Sequence, residues 1–256
     1  MHPYILQYGS FKISSYGLFL GIALMVGVWL AKKIGQRQGV SPQKVDSISF
    51  WLILSGILGS RFLYTFVEHW DVYGSDPLRF FRFHEGGLSF SGGLVFAVLG
   101  AIAYCKKHGI SFWKMADILS PSLALGFSIA KIGCFMMGCC HGKQCDLPWG
   151  VVYTRQDSLA NPLGVPLHPS QIYESIATLA IFAILYRITP KKKFDGQVFL
   201  SFLILYGVVR SLLESFRGEV GHLGILTTAQ AINLPLILGA LAAWKILRTR
   251  SDRSQT

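Results

Sequence analysis

Charge is what this sequence has least of: Asp, Glu, Lys and Arg make up only 14% of its 256 residues, and acidic side chains number 13. Soluble globular domains carry roughly 25% charged residues, so a water-soluble enzyme or binding module is excluded. No cleavable leader is expected either. The first apolar run is too long for a signal-peptide core and lacks a small-residue cleavage pattern after it, so it is expected to persist as the first helix. No internal repeat or low-complexity segment is visible, which argues against a transporter built from inverted halves. Paired C-x-x-C hooks are absent from the five cysteines. The pattern over Cys134, Cys139, Cys140, His141 and Cys145 is C-x4-C-C-H-x3-C, which does not fit a structural zinc site, and no metal is expected. A disulfide outside the cytoplasm accounts better for these residues, with its connectivity open. Cys105 reads as an ordinary buried thiol.

What is present is apolar sequence, 52% of the chain, gathered into runs. Crossing a hydrocarbon core of about 30 Å takes about 20 apolar residues in a helix. The expected fold is an all-α integral membrane protein with seven transmembrane helices: Ile13–Ala31, Val45–Val67, Gly86–Cys105, Met115–Phe135, Ser170–Ile188, Gly196–Phe216 and Leu226–Leu247. These form one polytopic domain, residues 1–256, with external segments at about 68–85 and 136–167.

The basic residues cluster after alternate spans. Lys32, Lys33, Arg37 and Lys44 follow the first, and Lys106, Lys107 and Lys114 the third. Arg187, Lys191, Lys192 and Lys193 follow the fifth, while Lys245, Arg248, Arg250 and Arg253 close the chain. The positive-inside rule then places the amino terminus outside and the carboxyl terminus in the cytoplasm. Basic loops beside anionic lipid account for most of the net charge of +11, so no nucleic-acid partner is needed.

Three cations fall outside that pattern: Arg61, Lys131 and Arg210, all toward the outer half of their spans. An ionisable residue within the membrane is by default functional, the plain alternative being a long side chain that snorkels to the headgroups. Each has company. Gly56-x-x-Gly59-x-Arg61, with Tyr64 beyond, is a small-residue pattern that permits close helix packing and burial of the arginine. Arg79, Arg82 and Glu85 lie in an aromatic-rich loop suited to a membrane surface. Gly86-Gly87-Leu88-Ser89-Phe90-Ser91-Gly92-Gly93 supports two readings, broken backbone approaching a ligand or small-residue helix packing. Tyr16, taken alone, is an aromatic-belt anchor. In His168-Pro169-Ser170-Gln171-Ile172-Tyr173-Glu174, Pro169 and Ser170 start a helix, and Gln171 and Glu174 share a face. Tyr206, Arg210 and Glu214 follow at spacings of four along one stripe. Thr227, Thr228, Gln230 and Asn233 make the start of the last span more polar than lipid contact requires.

At these residues the chain resembles the prolipoprotein diacylglyceryl transferases, bacterial inner-membrane enzymes that lipidate the lipobox cysteine of secreted lipoprotein precursors. The resemblance rests on Tyr16-Gly17, GSRFLY from Gly59, GGLSFSGG, KIGCF from Lys131, HPSQIYE, and YGVVRSLLESFR from Tyr206 to Arg217. It implies that the lipobox thiol displaces glycerol 1-phosphate from phosphatidylglycerol, without cofactor, on the outer-leaflet side. The implied partners are phosphatidylglycerol, prolipoprotein signal peptides and membrane lipids. Position by position, Arg210 matches an essential arginine, and Tyr16, Tyr206, Glu214 and Gly142 match other active-site residues. The chain departs from the family in Lys131 for Arg, Cys134 for Asn, Cys139 for Glu, and Ser91 for His. Lysine cannot make the bidentate fork of arginine.

The expected division of roles follows. Arg210 and Lys131 hold the phosphate with Arg61 assisting or paired structurally, Glu214 orients Arg210, and Tyr16 and Tyr206 bond headgroup oxygens beside Ser91 and Gly142. His168, His141 and Glu174 are the candidate bases, although nearby cations could ionise the thiol without one. Two alternatives stand beside this reading: a paralogue with another lipid donor or thiol acceptor, and a small-anion channel or carrier. Crowding of the cations toward one leaflet argues against the second.

Overall fold

The computed structural model describes residues 2–8, 11–70, 80–81, 87–218, 221–223 and 225–253. Among the described residues, seven helices are long and apolar enough to cross a membrane. They are α1 (Ser15–Arg37), α2 (Pro42–Leu63), α3 (Phe90–Lys107), α4 (Phe112–Met137), α5 (Ser170–Ile188), α6 (Gln197–Leu213) and α7 (Thr228–Arg253). A π turn, Tyr64–Glu68, continues α2, and a 3-10 turn, Glu214–Phe216, continues α6. The protein is a multi-pass membrane protein. Among the described residues, three two-stranded antiparallel ribbons supplement the expected all-helical fold: β1 (Tyr4–Tyr8) with β2 (Phe11–Ser14), β3 (Val151–Val152) with β4 (Pro166–Leu167), and β5 (His222–Leu223) with β6 (Leu226–Thr227).

The chain divides into two compact units, one of Met1–Ala31 with Ala116–Thr256, the other Lys32–Met115. In the second unit α2 packs on α3 through glycine. A side chain at Gly92 would strike the Gly59 carbonyl and Leu63, and one at Gly59 would strike the Phe96 ring. Between the two readings of the glycine pairs, Gly92 and Gly93 therefore serve helix packing. Ser89 caps α3. Arg79, Arg82, Glu85 and Gly86 lie outside the described residues.

In the first unit α4, α5 and α6 meet around Ala124, Ile181, Leu185, Val198 and Phe202, with Phe127 and Tyr206 packed against them. Two polar devices fix their register. Ser128 Oγ donates to the Ser175 carbonyl at 2.9 Å, and Ser175 Oγ returns a bond to the Ser128 carbonyl at 2.8 Å. Toward the other end of α4, the fully buried Asp117 carboxylate accepts from the Gly196 and Phe199 N–H groups at 2.8 and 2.9 Å, and from Lys192 Nζ at 2.9 Å. Asp117 thereby bonds two of the amides that open α6, which an α-helix leaves without a partner within itself.

Candidate active site

The three-helix packing places the polar residues at one level. From Ala124 to Lys131, from Ile181 back to Glu174, and from Phe202 to Arg210 is about two turns in each helix, roughly 11 Å. The serine pair locks that alignment one turn short of Lys131 and one residue from Glu174.

Glu174 is the hub. Lys131 Nζ lies 2.9 Å from its Oε2 and an Arg217 guanidinium nitrogen 3.9 Å from the same atom, while the Tyr206 hydroxyl donates to Oε1 at 3.3 Å. Its side chain is 6% exposed, against 18% for Lys131 and 21% for Arg217. Burying a carboxylate so far from water is costly unless such partners surround it. Beside it, Arg210 pairs with Glu214 one turn on. The expected stripe on α6 is thus present, with Tyr206 directed to Glu174 and Arg210 to Glu214.

Arg217 reaches this group because the chain segments after α4 and α6 are laced together. The Gly142 N–H donates to the His168 carbonyl at 2.8 Å, Lys143 N–H to Phe216 O at 2.9 Å, and His168 N–H to Lys143 O at 3.0 Å, with a bridge pairing Gly142 and Arg217. A side chain at Gly142 would strike the Phe216 carbonyl and His168 Cβ. Gly142, expected to face the lipid headgroup, has its N–H engaged within the protein and acts here through close approach.

Among the expected bases, His141 is committed on both nitrogens. The Asn161 N–H points at Nε2 from 3.2 Å, which makes that atom the acceptor and leaves the proton on Nδ1, 2.8 Å from the Gly142 carbonyl. His168 is buried, with Nδ1 3.4 Å from the Tyr173 hydroxyl, which in turn accepts from Trp149 Nε1 at 2.8 Å. Desolvation, then the charge of Lys143, holds its pKa below the usual histidine value. Tyr16 sits against α4: a Cβ at Gly133 would meet its Cα at 3.1 Å.

Sequence reasoning did not foresee what the cysteines do. The Sγ atoms of Cys134, Cys139 and Cys140 all lie within 4.8 Å of one another, as free thiols rather than a disulfide. Gly138 and Cys140 have φ of +85° and +58°, which turns the chain back on itself after α4. Ser170 Oγ and Gln171 Nε2 secure that turn through the Cys140 and Cys139 carbonyls, each at 2.8 Å. The thiols of Cys134 and Cys139, with the charges of Lys131 and Arg217, hold the Cys140 thiol far below its ordinary range. Although contact with Cys134 favours its ionisation, Cys139 is pushed up to about 11 by its bond to Cys140 and by burial.

Arg61 and Ser91 belong to the other unit. Arg61 is fully buried, with Nε and Nη1 donating to the carbonyls of Phe80 and Gly87, each at 3.0 Å. Ser91 is exposed in the first turn of α3. Two contributors were under-read in the sequence: Arg217, which closes the same motif as Arg210, and Glu174, weighed only as a base.

Comparison with known sequences gives a consistent result. The sequence model of the family described as prolipoprotein diacylglyceryl transferase matches residues 3–246. A relative from Bordetella avium, named phosphatidylglycerol–prolipoprotein diacylglyceryl transferase, is 32% identical over 98% of this chain and 96% of its own. Relatives of the same name from Clostridium tetani and Bacillus cereus are each 32% identical, covering 98% and 91% of this chain and 100% and 87% of theirs.

Proposed function

The chain belongs to the prolipoprotein diacylglyceryl transferase family, and on that premise we propose how its residues divide the work. It transfers a diacylglyceryl group from phosphatidylglycerol to a prolipoprotein. The acceptor is the lipobox cysteine, the product a thioether and the leaving group glycerol 1-phosphate. The enzyme sits in the bacterial inner membrane with its site toward the outer leaflet, the side on which the positive-inside rule leaves Lys131 and Arg210.

Attack at an sp³ carbon with departure of a phosphate monoester calls for cations where charge develops, in a water-poor site. Lys131, Arg210 and Arg217 supply them. Glu174 and Glu214 hold these cations in place before the donor arrives, and Tyr206 and Tyr16 bond headgroup oxygens. The positive field of Lys131 and Arg217 also favours the thiolate form of an incoming thiol. His168, neutral at pH 7, is the remaining histidine that could accept the proton. Arg61 keeps a structural role, tied to backbone carbonyls.

The observation that carries this reading is the meeting of Lys131 and Arg217 on one oxygen of Glu174, beside the Arg210–Glu214 pair. The test is direct: purified protein in phosphatidylglycerol vesicles with a lipobox peptide, followed by mass spectrometry. The peptide gains a diacylglyceryl mass, and Arg210→Ala abolishes the gain at unchanged protein abundance. Equal transfer by that variant refutes the assignment.

A further inference from the structure

We propose that Cys134, Cys139 and Cys140 form a three-thiolate zinc site whose fourth coordination position takes the acceptor cysteine. Three sulfurs from two turns of chain converge within 4.8 Å. Tetrahedral zinc with Zn–S bonds of about 2.3 Å sets its sulfurs about 3.8 Å apart, so rotamer adjustments of under about 1 Å close the site. A disulfide would pair two of these sulfurs and leave the third idle; zinc uses all three. Spacing along the chain gives no hint of this, because the ligands are brought together by the left-handed residues Gly138 and Cys140 and by the Ser170 and Gln171 hydrogen bonds.

Three protein ligands and one exchangeable position is the arrangement of catalytic rather than structural zinc. The inference rests on the transferase reading above and deepens it, because that reading needs a thiolate and leaves His168 as the one expected histidine free to take its proton. A thiol that binds zinc is deprotonated outright. Cys140 is exposed, so an outside thiol can reach the metal. Lys131 stands three residues before Cys134 on α4, and Gly142, two residues beyond Cys140, is bridged to Arg217, so the trio adjoins the cations that take the phosphate. Those cations also offset the net negative charge of zinc with three thiolates.

The acceptor R–SH binds zinc as R–S⁻ and its proton passes to water. A sulfur lone pair forms the C–S bond to the glycerol carbon that carries the phosphate ester. That C–O bond breaks, its electron pair leaves with glycerol 1-phosphate held by the cations, and the thioether, a poorer ligand, dissociates.

At pH 7 a free thiol of pKa about 8.5 is only about 3% thiolate, so zinc can raise the reactive fraction up to about 30-fold. The experiment uses the reduced, full-length protein in phosphatidylglycerol vesicles. Loaded with Co²⁺, it is expected to bind one ion per chain with a thiolate-to-metal charge-transfer absorption. The ligand-field bands shift when a lipobox peptide is added and do not shift with its Cys→Ser counterpart. Chelation lowers transfer at pH 7 by up to about 30-fold and Zn²⁺ restores it. The triple variant Cys134→Ser, Cys139→Ser, Cys140→Ser loses the absorption; should it fail to fold, the exposed single change Cys140→Ser is read instead. Full transfer by metal-free protein, no charge-transfer band, or a native disulfide within the trio overturns the zinc site and leaves the transferase reading intact. Absence of transfer from both zinc-loaded and metal-free protein overturns the transferase reading and the catalytic role of zinc with it.

Discussion

Replacing Glu174 by Gln tests whether this carboxylate organises the site or takes the proton. The change keeps the shape and removes one negative charge from between Lys131 at 2.9 Å and Arg217 at 3.9 Å. Breaking a buried ion pair costs about 3–5 kcal/mol, and the partial exposure of both cations puts this case near the lower end, about 3 kcal/mol. Thermal unfolding in detergent should fall accordingly. Lys131→Met should cost a similar amount, yet the double variant should cost much less than the sum, with a coupling of about 1–3 kcal/mol. In the transfer assay, Glu174→Gln should lower kcat by about tenfold without raising KM for phosphatidylglycerol, because the cations remain to bind phosphate and only their placement is lost. Additive single effects, within about 0.5 kcal/mol, would show that the pair does not organise the site. A kcat loss of about 10²–10⁴ together with disappearance of a pH–rate limb would make Glu174 the general base and refute the assignment.

Further outcomes are expected elsewhere. Gly142→Ala, whose new methyl group meets the Phe216 carbonyl and His168, should destabilise by about 1–3 kcal/mol and depress transfer by lifting Arg217 from Glu174, measured by unfolding and by product mass. Ser175→Ala removes one of the two bonds of the α4–α5 latch and should cost about 1–2 kcal/mol; an unchanged melting temperature would show that this bond does not set the register. The folded state depresses the His168 pKa, so its contribution to stability is present above the unfolded value, about 6.5, and is lost as pH falls through the folded value. The melting temperature should therefore decline below about pH 6.5 in a way that His168→Gln does not share. In Lys143→Gln the imidazole pKa, followed by NMR, should rise.

The residues explain why some of this was legible in the sequence. Ser170–Ile188 has the expected bounds because Pro169 and Ser170 mark a helix start that tertiary packing has no reason to move. The α6 stripe was readable because spacings of four on one helix do not depend on any neighbour. The Lys131–Glu174 pair was not, since it depends on how α4 slides past α5, which the serine latch decides. The cysteine trio escaped for a related reason: ligand spacing assumes a regular turn, and this turn passes through left-handed φ at Cys140, a conformation that nothing local in a cysteine announces. Similarly, the expected bounds of the third span took in residues 86–89, which precede the helix that starts at Phe90 once Ser89 caps it.

Asp117 stands fourteen residues before Lys131 on the same helix, about 21 Å along its axis. It nevertheless fastens α4 to the start of α6, as the serines fasten α4 to α5 farther along. A helix pinned to different neighbours at two levels behaves as a strut: loosening one joint rotates or shifts the other. Lesions at Asp117 or Lys192 should therefore surface as faulty chemistry at the far end, with the cations misaligned and the phosphate poorly held. A screen for inactive variants would then return positions remote from both substrates, and their shared property would be membership of this brace.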